Sequence, residues 1–356
     1  MDIRVLPLPE EKKKTKQSDA AQLGFGKIFT DRMFIAEWKT GQGWIDARIE
    51  PYAPFSLDPA SLVFHYAQEI FEGLKAYRWK DGSIALFRPE MNARRFNRSA
   101  ERMCMPEVPE DLFLRGVEEL VKLEADWIPS SAGTSLYIRP TMIAVEPVLG
   151  VKPADHFYFY IILCPVGAYY AGGFNPVKIM VEDSYVRAVP GGTGEAKTGG
   201  NYASSLKAGL EAKKKGFDQV LWLDGLERRY IEEVGAMNMF FAYGNRVVTA
   251  PLEGSILNGV TRNSVLSLAG ELGFSVEERK VAIDTIMADI SSGAITEAFG
   301  SGTAAVITPV GALCYKDQLL DIGGGGVGSL TQRLYDTLTG IQTGQIPDRF
   351  GWVRKL

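Results

Sequence analysis

Lys197 stands in the run Gly191-Gly192-Thr193-Gly194-Glu195-Ala196-Lys197-Thr198-Gly199-Gly200-Asn201-Tyr202, where flexible backbone surrounds a single amine. An amine presented this way, with Tyr202 close behind it and an acidic Glu232-Glu233-Val234-Gly235 segment downstream, suits covalent capture of an aldehyde as an imine. Such a lysine must be released as a neutral base, so its pKa has to be lowered by burial and neighbouring charge. Pyridoxal phosphate is the aldehyde cofactor that matches, because its ring acts as an electron sink when the pyridine nitrogen stays protonated beside a carboxylate. An isolated loop lysine is ordinarily just a solvated charge. The surrounding residues reverse that expectation.

Glu233 opens an apolar strand, where a carboxylate could hold the ring nitrogen. If internal, it must have a cationic partner. Its neighbour Glu232 suits an exposed turn. The phosphate needs backbone N–H donors at a helix start, which Asn258-Gly259-Val260-Thr261-Arg262 offers through the amides of Val260 and Thr261. Arg95 could add a guanidinium. Gly300-Ser301-Gly302-Thr303-Ala304 is a turn of amides and hydroxyls fit for phosphate or a substrate carboxylate. A competing reading is a phosphate loop, since Gly191 through Thr198 comes within one residue of G-x-x-x-x-G-K-[ST]. Ala196 replaces the glycine before the lysine, and Gly199-Gly200 stand where a helix should follow.

The elements that must position these groups alternate between helix and strand. Residues 1–22 read as a polar extension and Phe25 to Trp38 as a strand or hairpin arm. Glu90 to Met105 and Pro109 to Asp126 read as helices. Thr134 to Val145 and His156 to Val166 read as strands, rich in β-branched and aromatic residues. Residues 167–176 break the pattern with glycine and proline and mark a domain connection between a first domain over 23–166 and a second over 177–356. The second contains strands at Val177 to Glu182, Gln219 to Leu223, Ala236 to Tyr243 and Thr303 to Leu313. Its helices run from Tyr202 to Lys214, Thr261 to Leu272, Ile283 to Ile290 and Ser329 to Leu338, with a turn at Gly323 to Gly326.

A chain of 356 residues exceeds the size at which one core usually stops growing, which favours two domains. Net charge of -4 gives no general attraction to nucleic acid or anionic lipid. No apolar run reaches spanning length. Cys104, Cys164 and Cys314 are widely spaced and fit neither a disulfide framework nor a zinc site, which suggests a reducing compartment. The lysine-rich N-terminus lacks an apolar core and contains Glu10 and Glu11, unlike a transit peptide. The expected location is cytoplasmic.

Taken together, Phe71-Glu72-Gly73-Leu74-Lys75-Ala76-Tyr77, Ser135-Leu136-Tyr137-Ile138-Arg139-Pro140, the Lys197 loop, Glu233-Val234-Gly235, Gly259-Val260-Thr261-Arg262 and Gly300-Ser301-Gly302-Thr303 resemble the branched-chain amino acid aminotransferases. These are fold-type IV pyridoxal phosphate enzymes. The resemblance runs from about Phe25 to Trp352 and implies a two-domain mixed α/β fold, with a smaller N-terminal domain and a larger C-terminal one built on a pseudo-barrel of strands.

By that resemblance Lys197 carries the internal aldimine and shuttles the proton, Tyr202 bonds the ring's phenolic oxygen, and Glu233 holds the pyridine nitrogen. Arg95, Val260, Thr261 and Thr303 would bind phosphate. Phe25, Tyr66, Phe71, Tyr137 and Tyr202 would wall the substrate pocket. The amides of Thr303 and Ala304 would take the α-carboxylate, and Arg139 the distal carboxylate of glutamate. Without the resemblance, Tyr137 and Arg139 read as the polar face of a half-buried strand. A homodimer is implied, with Val151 and Tyr169 reaching into the partner's site. Two departures stand out: Ala305-Val306-Ile307-Thr308 replaces the C-x-x-C of some relatives, which excludes thiol regulation there, and Ala236 replaces a threonine.

The implied reaction exchanges amino groups between leucine, isoleucine or valine and 2-oxoglutarate. A D-amino acid aminotransferase, an aminodeoxychorismate lyase, a nucleotide hydrolase and a non-catalytic scaffold on the same fold are the alternatives.

Overall fold

A computed structural model of the chain describes residues 1–17, 20–167 and 174–356. Tyr169 and most of the expected connection therefore lie outside the described residues. Two compact units are found: residues 1–169, 196–199 and 340–356 form the first, and 170–195 with 200–339 the second. Reading along the sequence put everything after residue 176 in one domain. Instead, the Lys197 segment and the C-terminal residues return to the first unit.

The first unit is built on a nine-stranded sheet. Its central strands Ser135–Ala144 and His156–Val166 pair antiparallel along their length, flanked by Arg32–Lys39 on one side and Leu74–Arg78 on the other. Side chains alternate between faces. Leu136, Ile138, Met142, Phe157, Phe159 and Ile161 point into a core with the helices Pro89–Arg102 and Glu110–Leu123. The second helix buries Leu112, Phe113, Gly116, Val117, Leu120 and Val121, an i, i+4 spacing that lays one stripe on the sheet. Gly116 permits this close approach: a Cβ would stand 3.2 Å from Ile161 Cδ1 and 3.3 Å from the Phe34 ring, closer than side chains ordinarily pack.

The opposite sheet face presents Tyr137, Arg139 and Thr141, opposite Cys164, Ile162 and Tyr160 in register. The short strand Glu69–Phe71 adds Glu69 and Phe71 to this face, paired with Ile143 and Thr141.

In the second unit six strands close on themselves. Ile231–Val234 pairs with Gln219–Leu223, then follow Val177–Glu182, Val306–Tyr315, Glu297–Gly302 and Met237–Tyr243, which pairs back to Ile231–Val234. This is the expected pseudo-barrel. Closure leaves these strands without free edges and packs residues on both faces, so Ile231–Val234 is buried at every position.

Several element boundaries differ from expectation for local reasons. The strand expected from Phe25 begins at Arg32, because Gly24 and Gly26 adopt left-handed backbone and turn the chain. The helix expected from Tyr202 is two helices, Gly199–Ala203 and Leu206–Lys214. Gly199-Gly200 thus do begin a helix, contrary to the argument used against a phosphate loop. Thr303–Ala305 is a turn and its strand starts at Val306. The polar extension is anchored to the sheet: Arg4–Val5 pairs with Arg48 and Ile49, and Lys14 Nζ donates to Thr30 O at 2.7 Å.

Candidate active site

Within the first unit, the backbone around Lys197 is fixed on several sides. Lys197 N–H donates to Ser99 Oγ at 2.9 Å, and Phe71 N–H donates to Lys197 O at 3.0 Å. Thr198 Oγ1 donates to Glu69 O at 2.8 Å, and Gly199 N–H donates to the Glu69 carboxylate. These bonds, on successive residues, set where the Lys197 side chain starts. Its Nζ lies 4.7 Å from the centroid of the Phe71 ring, and the Arg139 guanidinium lies 4.6 Å from the same ring.

Arg139 Nη2 donates to Tyr137 Oη at 3.0 Å, and the Phe25 ring meets Tyr137 edge-on at 5.0 Å. Tyr137 can stand there because Gly73 has no side chain; a Cβ would collide with its hydroxyl. Of the expected pocket wall, Phe25, Phe71, Tyr137 and Arg139 are therefore assembled with Lys197. Tyr66 is placed differently: it is exposed at the end of the helix Leu62–Tyr66, and its hydroxyl donates to Leu149 O at 2.5 Å, in the loop that carries exposed Val151.

Arg95 sits on the buried stripe of Pro89–Arg102 and gives Nε and Nη2 to Glu72 at 2.7 and 2.8 Å. Asn92 Nδ2 adds a third bond to Glu72 at 2.7 Å. Burial pushes the Glu72 carboxyl up, but Arg95 and these hydrogen bonds outweigh it and hold it below its ordinary value. For Glu69, burial wins: its carboxyl is raised despite the Gly199 amide, Arg139 and Lys197.

Within the second unit, Glu233 is only 3% exposed and has the cation that its burial demands. Arg187 Nε lies 2.9 Å from its Oε2. Arg187 is itself held by Gly194 O at 3.1 Å and Ser255 O at 2.6 Å. The other carboxylate oxygen accepts from Leu257 N–H at 3.0 Å and from Asn238 Nδ2 at 3.3 Å. Glu232, expected in an exposed turn, is buried and hydrogen-bonded to Ser255 Oγ, with burial raising its carboxyl. The cause is the closed ring of strands, which covers both faces of Ile231–Val234.

Asn238 links the other expected features. It pairs in register with Ser301, two residues before Thr303, and donates to Leu257 O at 3.0 Å. Its Oδ1 approaches Gly259 so closely that a Cβ there would collide. Gly259 caps the helix Val260–Glu271, whose first residues Val260 and Thr261 are buried. Thr303 and Ala304 form the turn between Glu297–Gly302 and Val306–Tyr315. Tyr202 lies half-buried in Gly199–Ala203, and Ala236 in the exposed turn before Met237.

Sequence reading missed Glu69, Glu72, Ser99, Arg187 and Asn238. Glu72 stands inside the Phe71 to Tyr77 motif and Asn238 three residues beyond Gly235, and a partner for Glu233 was required on energetic grounds, but its identity depends on the fold.

Comparison with known proteins agrees with this chemistry. Residues 69–313 match the family model described as amino-transferase class IV. Branched-chain-amino-acid aminotransferase 2 of Bacillus subtilis is 53% identical over 96% of this chain and 94% of its own length. The branched-chain-amino-acid aminotransferase of Mycolicibacterium smegmatis is 49% identical over 96% and 94%. Among solved structures, the branched-chain amino acid aminotransferase of Escherichia coli superposes with a TM-score of 0.71 at 27% identity, covering 90% of this chain and 98% of that one. The Thermobaculum terrenum enzyme, solved in its pyridoxal phosphate holo-form, shares the fold with a TM-score of 0.73 at 24% identity over 90% and 97%. The chain therefore belongs to the class IV aminotransferases, and within them to the branched-chain-amino-acid aminotransferase family.

Proposed function

We propose that this chain exchanges the amino group of leucine, isoleucine or valine with that of glutamate through their 2-oxo acids, with Lys197 as its catalytic residue. The observation that carries this reading is the fixed Lys197 amine over Phe71, beside an Arg139–Tyr137 pair suited to a carboxylate.

The donor set fits pyridoxal phosphate: a primary amine, a buried acid paired with a guanidinium, and a glycine-capped helix start. When bound, the cofactor supplies the carbonyl carbon that receives the amine and a ring that accepts the electron pair left at the substrate α-carbon. Lys197 Nζ would tether it and, as a free amine, would move the proton to and from the substrate α-carbon. Glu233, oriented by Arg187 and Asn238, would hold the pyridine nitrogen, and Tyr202 the phenolic oxygen. By the family resemblance the phosphate would be served by Arg95, which Glu72 aims, and by Val260, Thr261 and Thr303. Thr303 and Ala304 take the substrate α-carboxylate. Phe25, Tyr66, Phe71 and Tyr137 form the apolar wall, and Arg139 takes the second carboxylate of glutamate.

Phe64, Tyr66, Leu149 and Val151 leave an exposed apolar group on the first unit. We read it as the surface for a second copy, giving a homodimer in which Val151 meets the partner's substrate. Free Cys104, Cys164 and Cys314 support a cytoplasmic location.

The test is the visible spectrum of the purified protein before and after L-leucine, then after 2-oxoglutarate. A band lost and then recovered is expected, as is complete loss of turnover in Lys197→Ala with an unchanged far-ultraviolet circular dichroism spectrum. A band that responds to D-alanine and not to L-leucine would overturn the substrate assignment. Arg139→Ala should weaken glutamate far more than leucine, and equal losses would remove Arg139 from its role.

A further inference from the structure

Glu69 has no part in the scheme above, yet it is an acidic group on the sheet face that carries Arg139 and Phe71, two residues from Phe71 along the strand. Because it lies two residues before Phe71 on the same strand, its side chain projects to the same side. Phe71 has Arg139 and Lys197 over its ring. The Glu69 carboxylate accepts from Gly199 N–H, and its carbonyl accepts from Thr198 Oγ1. A Cβ at Gly199 would meet Glu69 Oε1, so a side chain there would displace the carboxylate from its amide. Glu69 is thus held against the backbone behind Lys197, and swinging its carboxylate away would give up the Gly199 hydrogen bond.

We propose that Glu69 is a specificity-determining residue, whose carboxylate, on the same sheet face as the Arg139 guanidinium, acts on it through charge and thereby sets how strongly the pocket takes a dicarboxylate relative to an aliphatic monocarboxylate. This rests on the assignment of Arg139 to the distal carboxylate of glutamate. With an aliphatic substrate bound, an ionised Glu69 on the same face offsets part of the Arg139 charge that the methyl groups would otherwise meet. When glutamate or 2-oxoglutarate binds, its second carboxylate meets Arg139 in the field of Glu69, and the two like charges oppose each other. The residue gives up affinity for the dicarboxylate in exchange for tolerance of the apolar chain.

Protonation of Glu69 removes that opposition. The groups that face it are the Gly199 amide, Arg139 and Lys197, and burial raises its carboxyl in spite of them. Tyr160, opposite Thr141 on the same face, also feels its charge. Dicarboxylate affinity should therefore strengthen as pH falls toward the raised Glu69 value, and monocarboxylate affinity should not follow.

The test uses the cofactor-loaded protein and two unreactive probes, glutarate and 4-methylpentanoate, with dissociation constants measured by calorimetry from about pH 8 down to about pH 5, toward the ordinary glutamate range. Glu69→Gln keeps an acceptor for Gly199 N–H and removes the charge. It should raise the preference for glutarate over 4-methylpentanoate by about fivefold or more at the upper pH. In the wild type that preference should rise as pH falls, and in the variant it should stay flat. A wild-type preference that does not change with pH overturns the proposal, and this result needs no variant to fold. An unchanged or reversed preference in a Glu69→Gln protein of wild-type melting temperature overturns it as well. Bleaching of the wild-type band by L-leucine is read separately: if that fails, the transaminase reading fails, whereas bleaching with an unmoved preference removes Glu69 alone.

Discussion

Replacing Arg187 with methionine removes the guanidinium from the buried ion pair with Glu233 and keeps most of the volume. The pair is 2.9 Å apart, with side chains 7% and 4% exposed. At an effective dielectric of about 20 the attraction is roughly 6 kcal/mol, part of which offsets the desolvation of both ions. Breaking such a pair from one side costs about 3–5 kcal/mol. The carboxylate has an escape, which is to take up a proton. Relative to an unfolded glutamate near pKa 4.3, holding it protonated at pH 7 costs about 4 kcal/mol, at 1.36 kcal/mol per unit. The two routes agree, so a loss of about 3–5 kcal/mol is expected at neutral pH.

The pH dependence has a definite sign. In the variant the folded Glu233 pKa is raised, so the folded state binds more protons than the unfolded one and the deficit shrinks as pH falls through the raised value. The measurement is the urea unfolding midpoint of the cofactor-free wild type, Arg187→Met and Arg187→Lys from pH 8 to pH 5. Lysine should recover part of the loss. A deficit that is independent of pH and no larger than that of Lys280→Ala, whose partner Glu253 is 52% exposed, would refute this account of Glu233.

Gly73→Ala should push Tyr137 off Arg139, because the new methyl group meets the tyrosine hydroxyl; glutamate turnover is expected to fall more than leucine turnover in steady-state assays. Glu72→Ala leaves Arg95 buried without that carboxylate and should lower stability by about 3–5 kcal/mol in urea titration. In the wild type the lowered Glu72 pKa contributes stability that is present above the ordinary glutamate range and lost as pH falls through the lowered value, so Glu72→Ala should flatten the acid limb of stability against pH.

Much of the fold is written in local patterns. His156–Val166 and Val177–Glu182 have the bounds that their composition predicts, because long runs of β-branched and aromatic residues have few other conformations to adopt. Glu69–Phe71, Leu74–Arg78 and Ile84–Phe87 are too short, and too uniformly apolar in places, to display alternation, and they form because neighbouring strands present unpaired edges. Gly199-Gly200 misled for a related reason. Glycine is a poor helix former, but the Glu69 carboxylate captures the first amide of that helix, and a Cβ at Gly199 would meet that carboxylate.

The sequence by itself pointed to the family, to the lysine proposed as the reactive amine, to the acid that needs a cation and to a helix start with amides to offer, since each follows from residue type and short spacing. Only the tertiary structure decided that Arg187 is the cation, that Arg95 is aimed by Glu72, and that Glu69 shares a sheet face with Arg139. Those pairings join residues distant along the chain, and a sequence fixes which charges must be compensated long before it reveals which ones come within reach.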